Sequence, residues 1–379
     1  MIIKTDLLKD KCSKLITAVD SNELSLVTET LELKVEEGIL YFNVTNKDYW
    51  VQFRMPVDVN ETFHATVNAN LFLKLISQIT TPDIELKVSG NSLTVKGNGK
   101  YKLPLIFEGD KLLDLPKIDI NNVTTEFTVS SEILNSILNF NSSQLAIDAN
   151  AITKEVQRLY YVDDQGAITM TSGACVNRFN LEKPVRILLN GRLVKLFKLF
   201  KEVTVNFSLG YDPLSDEIIQ TKVKFETADV TIVAILSCDD TLINSMPVQA
   251  IRSRAEAIYP FNANINKDAL LQTINRLLLF NSGYGSKENL KPYSKFEFGK
   301  TSVTIYDVSG ENNETIAYTG TSLDSDSDIV YTTILDIADL KKVLETCVES
   351  YLCIAFGRSP AVTLSRGNVI NVVPECNEV

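Results

Sequence analysis

Three stretches of the chain repeat one order of elements: a helix, a strand hairpin, a second helix, then further strands. Self-similarity of this kind constrains architecture before any single motif does, because every copy must bury the same faces. The first copy opens with TDLLKDKCSKLITAV, in which Leu8, Cys12, Leu15 and Val19 keep helical spacing. LELKVEEGILYFNVTN follows: Leu31, Leu33 and Val35 alternate, Glu37-Gly38 makes a turn, and Leu40, Phe42 and Val44 alternate again. That is the pattern of a hairpin with one buried face. ANLFLKLISQI supplies the second helix and IELKVSGNSLTVKGNGKYKLPLIF the remaining strands. The second copy runs through SSEILNSILNF, RLYYVDDQGAITMTSG, GRLVKLFKLFKE, VTVNFSLG and TKVKFETADVTIVAIL. The third runs through NKDALLQTINRLLLF, SKFEFGKTSVTIYDVSG, IADLKKVLETCVE and YLCIAFGRSPAVTLSRGNVINVVP. The pattern predicts three similar α+β domains of helix–hairpin–helix–sheet design, 1–122, 123–252 and 253–379. KLLDLPKIDINNV and MPVQAIRSRAEAIYP read as the linkers.

Charge is distributed against the average. The chain has 37 Lys and Arg against 48 Asp and Glu, a formal net charge of −11. Yet GRLVKLFKLFKE gathers Arg192, Lys195, Lys198 and Lys201. On a wheel of about 100° per residue, Leu193, Leu196, Phe197 and Phe200 fall on one side of a helix and the cations on the other. Lys14, Lys74, Arg276 and Lys342, with Lys341 nearby, also lie opposite apolar stripes, whereas SSEILNSILNF shows Asn and Ser there. For one helix alone this is the ordinary solvated back. Repeated across three domains it predicts a basic surface that attracts phosphates without reading bases.

Other features exclude classes of function. No apolar run approaches the roughly 20 residues of a membrane helix. MIIKTDLLKDK has charges where a signal peptide needs apolar residues, so a cytoplasmic protein is expected. The six cysteines form no C-x-x-C pair, and His64, in the strand-like ETFHATV, is the only histidine, which predicts no metal and no cofactor. Trp50, in DYWVQF, is expected half-buried on a strand. DSDSDIVYTTIL begins like a calcium loop, but Ile329 and Leu335 stand where glycine and glutamate belong. KGNGK and SGYGSK complete no phosphate-loop motif and read as turns. No catalytic constellation is evident, so a non-enzyme is expected. A repeat-built protein-interaction scaffold without DNA binding and a carboxylate-based enzyme are the competing classes.

Taken together, these segments resemble the bacterial sliding clamp, the beta subunit of DNA polymerase III, over essentially the whole chain. Beyond the three repeats, the resemblance rests on KYKLPLIFEGDKLLDLPKI closing the first unit, TSG after the second unit's first hairpin, and NVVPECNEV near the C-terminus. It implies the DNA clamp fold and a head-to-tail homodimer whose six domains encircle double-stranded DNA. It implies the DNA polymerase III alpha subunit and the clamp loader as partners, and no catalytic group. By match to the family's pairing edge, Tyr101 and Leu103 would meet Leu279 and Phe280 of a second copy; core packing is the other reading of those residues. The matching positions for a partner-peptide pocket are Thr171, Gly173, Val176, Pro247, Ile251, Val372, Val373 and Pro374, with interdomain packing as the alternative. Here the chain departs from the family: T-D-G-H-R-L is TSGACV, and M-P-M-R-L reads VPECNEV. The pocket's specificity is therefore expected to differ.

Overall fold

The structure is a computed structural model and describes residues 1–19, 26–58, 62–140, 159–170, 173–201, 203–213, 219–236, 240–281, 292–320 and 329–376. One order, β-α-β-β-β-β-α-β-β-β, occurs three times along the chain, the third time with one extra two-residue strand. The first pass is β1 (Ile2–Lys4), α1 (Thr5–Leu15), β2 (Thr30–Glu36), β3 (Ile39–Thr45), β4 (Tyr49–Pro56), β5 (Phe63–Asn68), α2 (Ala69–Gln78), β6 (Asp83–Ser89), β7 (Ser92–Lys96) and β8 (Lys100–Pro104). Two short strands, β9 (Phe107–Glu108) and β10 (Lys111–Leu112), follow it. The second pass is β11 (Val123–Ser130), α3 (Ser131–Asn139), β12 (Leu159–Asp163), β13 (Gly166–Met170), β14 (Ala174–Arg178), β15 (Arg186–Asn190), α4 (Gly191–Lys195) with a 3-10 turn (Leu196–Leu199), β16 (Thr204–Pro213), β17 (Ile219–Glu226) and β18 (Val230–Leu236). Helix α5 (Asp240–Ser245) precedes the stretch read as a linker, and α6 (Val248–Ala255) lies within it. The third pass is β19 (Phe261–Asn266), α7 (Lys267–Asn281), β20 (Tyr293–Gly299), β21 (Ser302–Tyr306), β22 (Asn313–Ala317), a two-residue β23 (Thr319–Gly320), β24 (Ile329–Asp336), α8 (Ile337–Glu345), β25 (Tyr351–Phe356), β26 (Ala361–Arg366) and β27 (Val369–Pro374).

The chain packs as two compact units, 1–134 with 192–238 and 135–191 with 239–379. Each draws strands from two passes. In the first, an eight-stranded antiparallel sheet runs β11-β16-β17-β18-β4-β3-β2-β5, and β18 pairs with β4 from Val230↔Phe53 to Ala234↔Tyr49. A four-stranded sheet, β1-β6-β7-β8, and the pair β10-β9 complete it. The β2–β3 hairpin closes through Glu37 (φ 49°) and Gly38 (φ 76°). Two central residues at positive φ make the mirror-image turn that matches strand twist. Helices α1 and α2 pack on one another, burying Leu8, Cys12 and Leu15 from one and Phe72, Leu73 and Ile76 from the other. Each such side chain contributes about 1.5–3 kcal/mol on burial. Trp50 is 3% exposed, fully buried rather than half-buried, because β4 is an interior strand of the long sheet.

In the second unit a nine-stranded sheet runs β15-β12-β13-β14-β27-β26-β25-β19-β23, and a four-stranded sheet runs β22-β21-β20-β24. Its core joins Phe296, Phe298 and Phe356 with Leu270, Ile274 and Leu277 of α7 and Leu340, Val343 and Leu344 of α8. The rings of Phe298 and Phe356 stack at 4.1 Å.

The segment GRLVKLFKLFKE departs from the helix expected of it. It makes five α-helical residues and then tightens into the 3-10 turn, which ends before Phe200. Buried positions are 193, 194, 196, 197 and 200, with 192, 195, 198 and 201 exposed. That is a period of three, which suits the three residues per turn of a 3-10 helix.

Candidate functional site: a cation row, open sheet edges and a peptide seat

Arg192, Lys195, Lys198 and Lys201, spaced three apart along the segment, are all exposed. The opposite side locks into the core: Phe197 meets Phe225 edge-on at 4.9 Å, and Phe225 meets Phe207 at 5.5 Å. Arg192 lies 3.8 Å from Asp48. Lys195, Lys198, Lys201 and the exposed Lys74 of α2 make no ion pair with a described carboxylate. Lys14 pairs with Asp10 at 2.6 Å, Lys342 with Asp339 at 2.9 Å and Lys341 with Glu345 at 3.9 Å. Exposed pairs of this kind are worth about 0–1 kcal/mol, so the carboxylates hold these ammonium groups only weakly.

Arg276 is different. Its Nε and Nη2 grip both oxygens of Glu314 at 2.6 and 2.5 Å, and Thr273 Oγ1 donates to the same carboxylate at 2.9 Å. Hydrogen bonds from Arg276 hold the Glu314 carboxyl below the usual carboxylate range. A bidentate pair is geometrically specific and strong. The cation expected to face a phosphate is paired here with Glu314 of β22, a contact that only the fold reveals, since residues 276 and 314 are far apart in sequence.

Strand β22 is the outer strand of its sheet, and β8 the outer strand of its own. An outer strand leaves N–H and C=O groups free to pair with another chain. Strand β8 exposes Lys100, Tyr101 and Lys102 and buries Leu103 at 2% exposure. Leu103 therefore packs in the core of its own unit, the other reading given for it. Strand β22 presents Glu314, and near the end of α7 Leu279 and Phe280 are 64% and 57% exposed. Lys100 and Lys102 escaped the sequence reading; the alternation in KYKLP, read with the outer position of the strand, marks them.

The residues assigned to a peptide pocket, Thr171 apart, come together. Thr171 lies outside the described residues. Strands β14 and β27 pair with Ala174 opposite Val372 and Val176 opposite Ile370, and α6 packs against both. A side chain at Gly173 would come within 2.3 Å of the Val372 carbonyl oxygen, so only glycine fits. Gly173, Ile251 and Val372 are half-buried, and Pro247 and Pro374 are exposed. Val176 and Val373 are 2% and 7% exposed and face inward, so their part is packing. Two features hold this seat and were not read from the sequence. Arg252, next to Ile251, is buried and donates to Asp163 at 2.5 Å and to Gln165 at 3.0 Å, which anchors α6. In the altered tail, Glu375 accepts from the Tyr331 hydroxyl, and the Cys376 N–H donates to Ile334 O at 2.8 Å. The added carboxylate is thus held by the chain itself.

One described cluster has donors of metal-binding type. A nitrogen of His64 and carboxylate oxygens of Glu32 and Asp114 lie within 4.8 Å of one another. Glu32 is buried; one of its oxygens lies 2.8 Å from His64 Nε2 and the other accepts from Asn43 at 2.7 Å. Burial alone would raise its pKa, but the hydrogen bonds with His64, Asn43 and Asp114 outweigh it and hold the carboxyl below the usual range. The arrangement works as a clasp between β2 and the segment after β10. Burial pushes the thiols of Cys12 and Cys175 up to about 12, so neither is a nucleophile at neutral pH.

A threefold β-α-β-β-β-β-α-β-β-β chain whose strands form long antiparallel sheets, with a cationic helical row, has the architecture of a DNA clamp. In particular, the fold is that of the bacterial DNA polymerase III beta subunit. The chain is similar to the DNA polymerase III subunit beta from Pseudomonas aeruginosa, with TM-score 0.79 and 12% identity over 100% of both chains. The beta subunit from Thermotoga maritima matches at TM-score 0.77 and 14% identity, covering 100% of this chain and 99% of that one. The Helicobacter pylori beta clamp, in a structure bound to a DNA ligase peptide, matches at 0.71 and 15% over 100% and 99%. No family model matches the sequence, and no curated protein sequence does. Among the described residues no helix is long and apolar enough to cross a membrane.

Proposed function

We propose that the protein is a DNA sliding clamp: two copies close head to tail into a ring around double-stranded DNA and tether a replicative polymerase to it. The observation that carries this reading is the match of the entire chain to beta clamps, with the element order recurring three times. On this reading the domains are 1–122, 123–252 and 253–379. Closing the ring pairs the β8 edge of one copy with the β22 edge of the other, Lys100 and Lys102 facing Glu314, with Tyr101 against Leu279 and Phe280. A head-to-tail contact that closes by rotation gives a finite ring.

DNA is held through phosphates by Lys14, Lys74, Arg192, Lys195, Lys198, Lys201, Lys341 and Lys342. Contacts to the backbone carry no sequence information and allow sliding. Topology does the tethering, so no bond is made or broken and no catalytic group is needed. Gly173, Pro247, Ile251, Val372 and Pro374 seat short peptides of the polymerase alpha subunit and the clamp loader. With Ala174 and Cys175 in place of histidine and arginine, that seat favours apolar anchors over acidic ones. The protein acts in the cytoplasm, where the replication machinery works. Primer extension on a primed single-stranded circle, with the polymerase and loader of the same host, tests the reading. The expected result is products lengthened at least tenfold by the protein; unchanged product length contradicts it.

A further inference from the structure

Within the first unit, α1, the end of the 191–201 segment and the β4–β18 junction border an open cavity of about 480 Å³. Its charged lining is four lysines, Lys11, Lys14, Lys198 and Lys201, against two carboxylates, Asp10 and Asp229. Both carboxylates are engaged: Asp10 by Lys14 at 2.6 Å and Asp229 by Lys11 at 3.5 Å. That leaves the ammonium groups of Lys198 and Lys201 uncompensated on one wall, in a chain whose net charge is −11. The rest of the lining mixes the hydroxyl residues Ser13, Thr17 and Thr227 with the apolar Leu199 and Val203 and the edges of Phe53, Phe200 and Val230.

We infer that this cavity binds a single nucleotide unit, with its phosphate on Lys198 and Lys201. A bare anion would leave most of the volume empty. Ligand sites of this size, roughly 300–1,000 Å³, bury most of a small organic molecule and orient it by a few polar groups. A phosphate joined to a flat body with polar edges suits this lining, the cations taking the phosphate and the hydroxyl and apolar side chains meeting the edges and faces of a base. Duplex DNA offers only its backbone to a surface row of cations, so the cavity goes beyond the clamp reading. It suits an unpaired nucleotide of a strand or a free nucleotide.

Full-length protein titrated at low salt with dAMP, with the tetranucleotide (dT)4 and with inorganic phosphate, followed by calorimetry, tests the inference. We expect dAMP or (dT)4 to bind at least tenfold more tightly than inorganic phosphate. Tighter binding of (dT)4 assigns the site to a strand, and tighter binding of dAMP assigns it to free nucleotide. Lys198→Ala combined with Lys201→Ala should weaken binding at least tenfold, while Lys87→Ala, on an exposed part of β6 away from the cavity, should leave it within twofold. No binding of either nucleotide probe overturns the inference, as does equal affinity for inorganic phosphate or an unchanged double variant. Retention on circular DNA is a separate readout. A chain that encircles DNA but binds no nucleotide loses this inference alone, and one that binds nucleotide but never encircles DNA loses only the clamp reading.

Discussion

Asp212 shows how single residues hold the strand junctions. It is buried, pairs with Lys222 at 3.0 Å, and accepts from the backbone N–H groups of Asn121 and Asn122 at 3.1 and 2.9 Å. Burial alone would raise its pKa, but Lys222 and those two N–H groups outweigh it, so the carboxyl sits below the usual range. A folded-state pKa below the unfolded value means stabilisation present above about pH 4 and lost as the pH falls through the folded value. Asp212→Asn should flatten the acid side of the stability profile, read as urea midpoints between neutral and acid pH; an unchanged acid limb would count against it. Arg252→Ala removes one partner of a buried pair and should cost about 3–5 kcal/mol, measured by chemical denaturation. It should also weaken peptide capture, since α6 carries Ile251. Gly173→Ala forces a Cβ towards the Val372 carbonyl and should lower the melting temperature by several degrees, about 1 kcal/mol or more. None of these three contacts was legible beforehand: each joins residues distant in sequence, and a sequence gives spacing along the chain, not across it.

At the scale of elements, spacing was informative. The hairpins read from Leu31–Val35 and Leu40–Val44 became β2 and β3, and TDLLKDKCSKL became α1. The segment 191–201 was legible in its faces but not in its type. A wheel of 3.6 residues and one of three both separate the four cations from Leu193, Leu196, Phe197 and Phe200 over so short a run, and the strict every-third placement of the cations was the overlooked sign. Burial of Leu103, Val176 and Val373 was likewise hidden, because alternation tells that two faces differ without telling which of them meets the outside. The outer strands carry the next prediction. Lys100→Glu with Lys102→Glu places like charges opposite Glu314 in the proposed ring and should weaken dimerisation at least tenfold, read by sedimentation. Glu314→Lys in the same chain should recover it. A dimer unaffected by the double change would move the interface elsewhere.

For the whole molecule, the repeat was the most legible feature and the particular partners the least. At 12–15% identity the chain shares the fold of beta clamps while most of its residues differ from theirs. Phosphate contacts tolerate such drift because any cation in the right place serves, whereas a peptide seat depends on individual side chains, and there the chain has changed. The central claim is topological: the protein stays on DNA because it surrounds it. The direct measurement is to load the protein onto a nicked circular plasmid, cut the circle once, and follow the protein by gel filtration in high salt. The account predicts retention on the closed circle and release on cutting. Equal loss from circle and linear DNA, or equal retention on both, would contradict it.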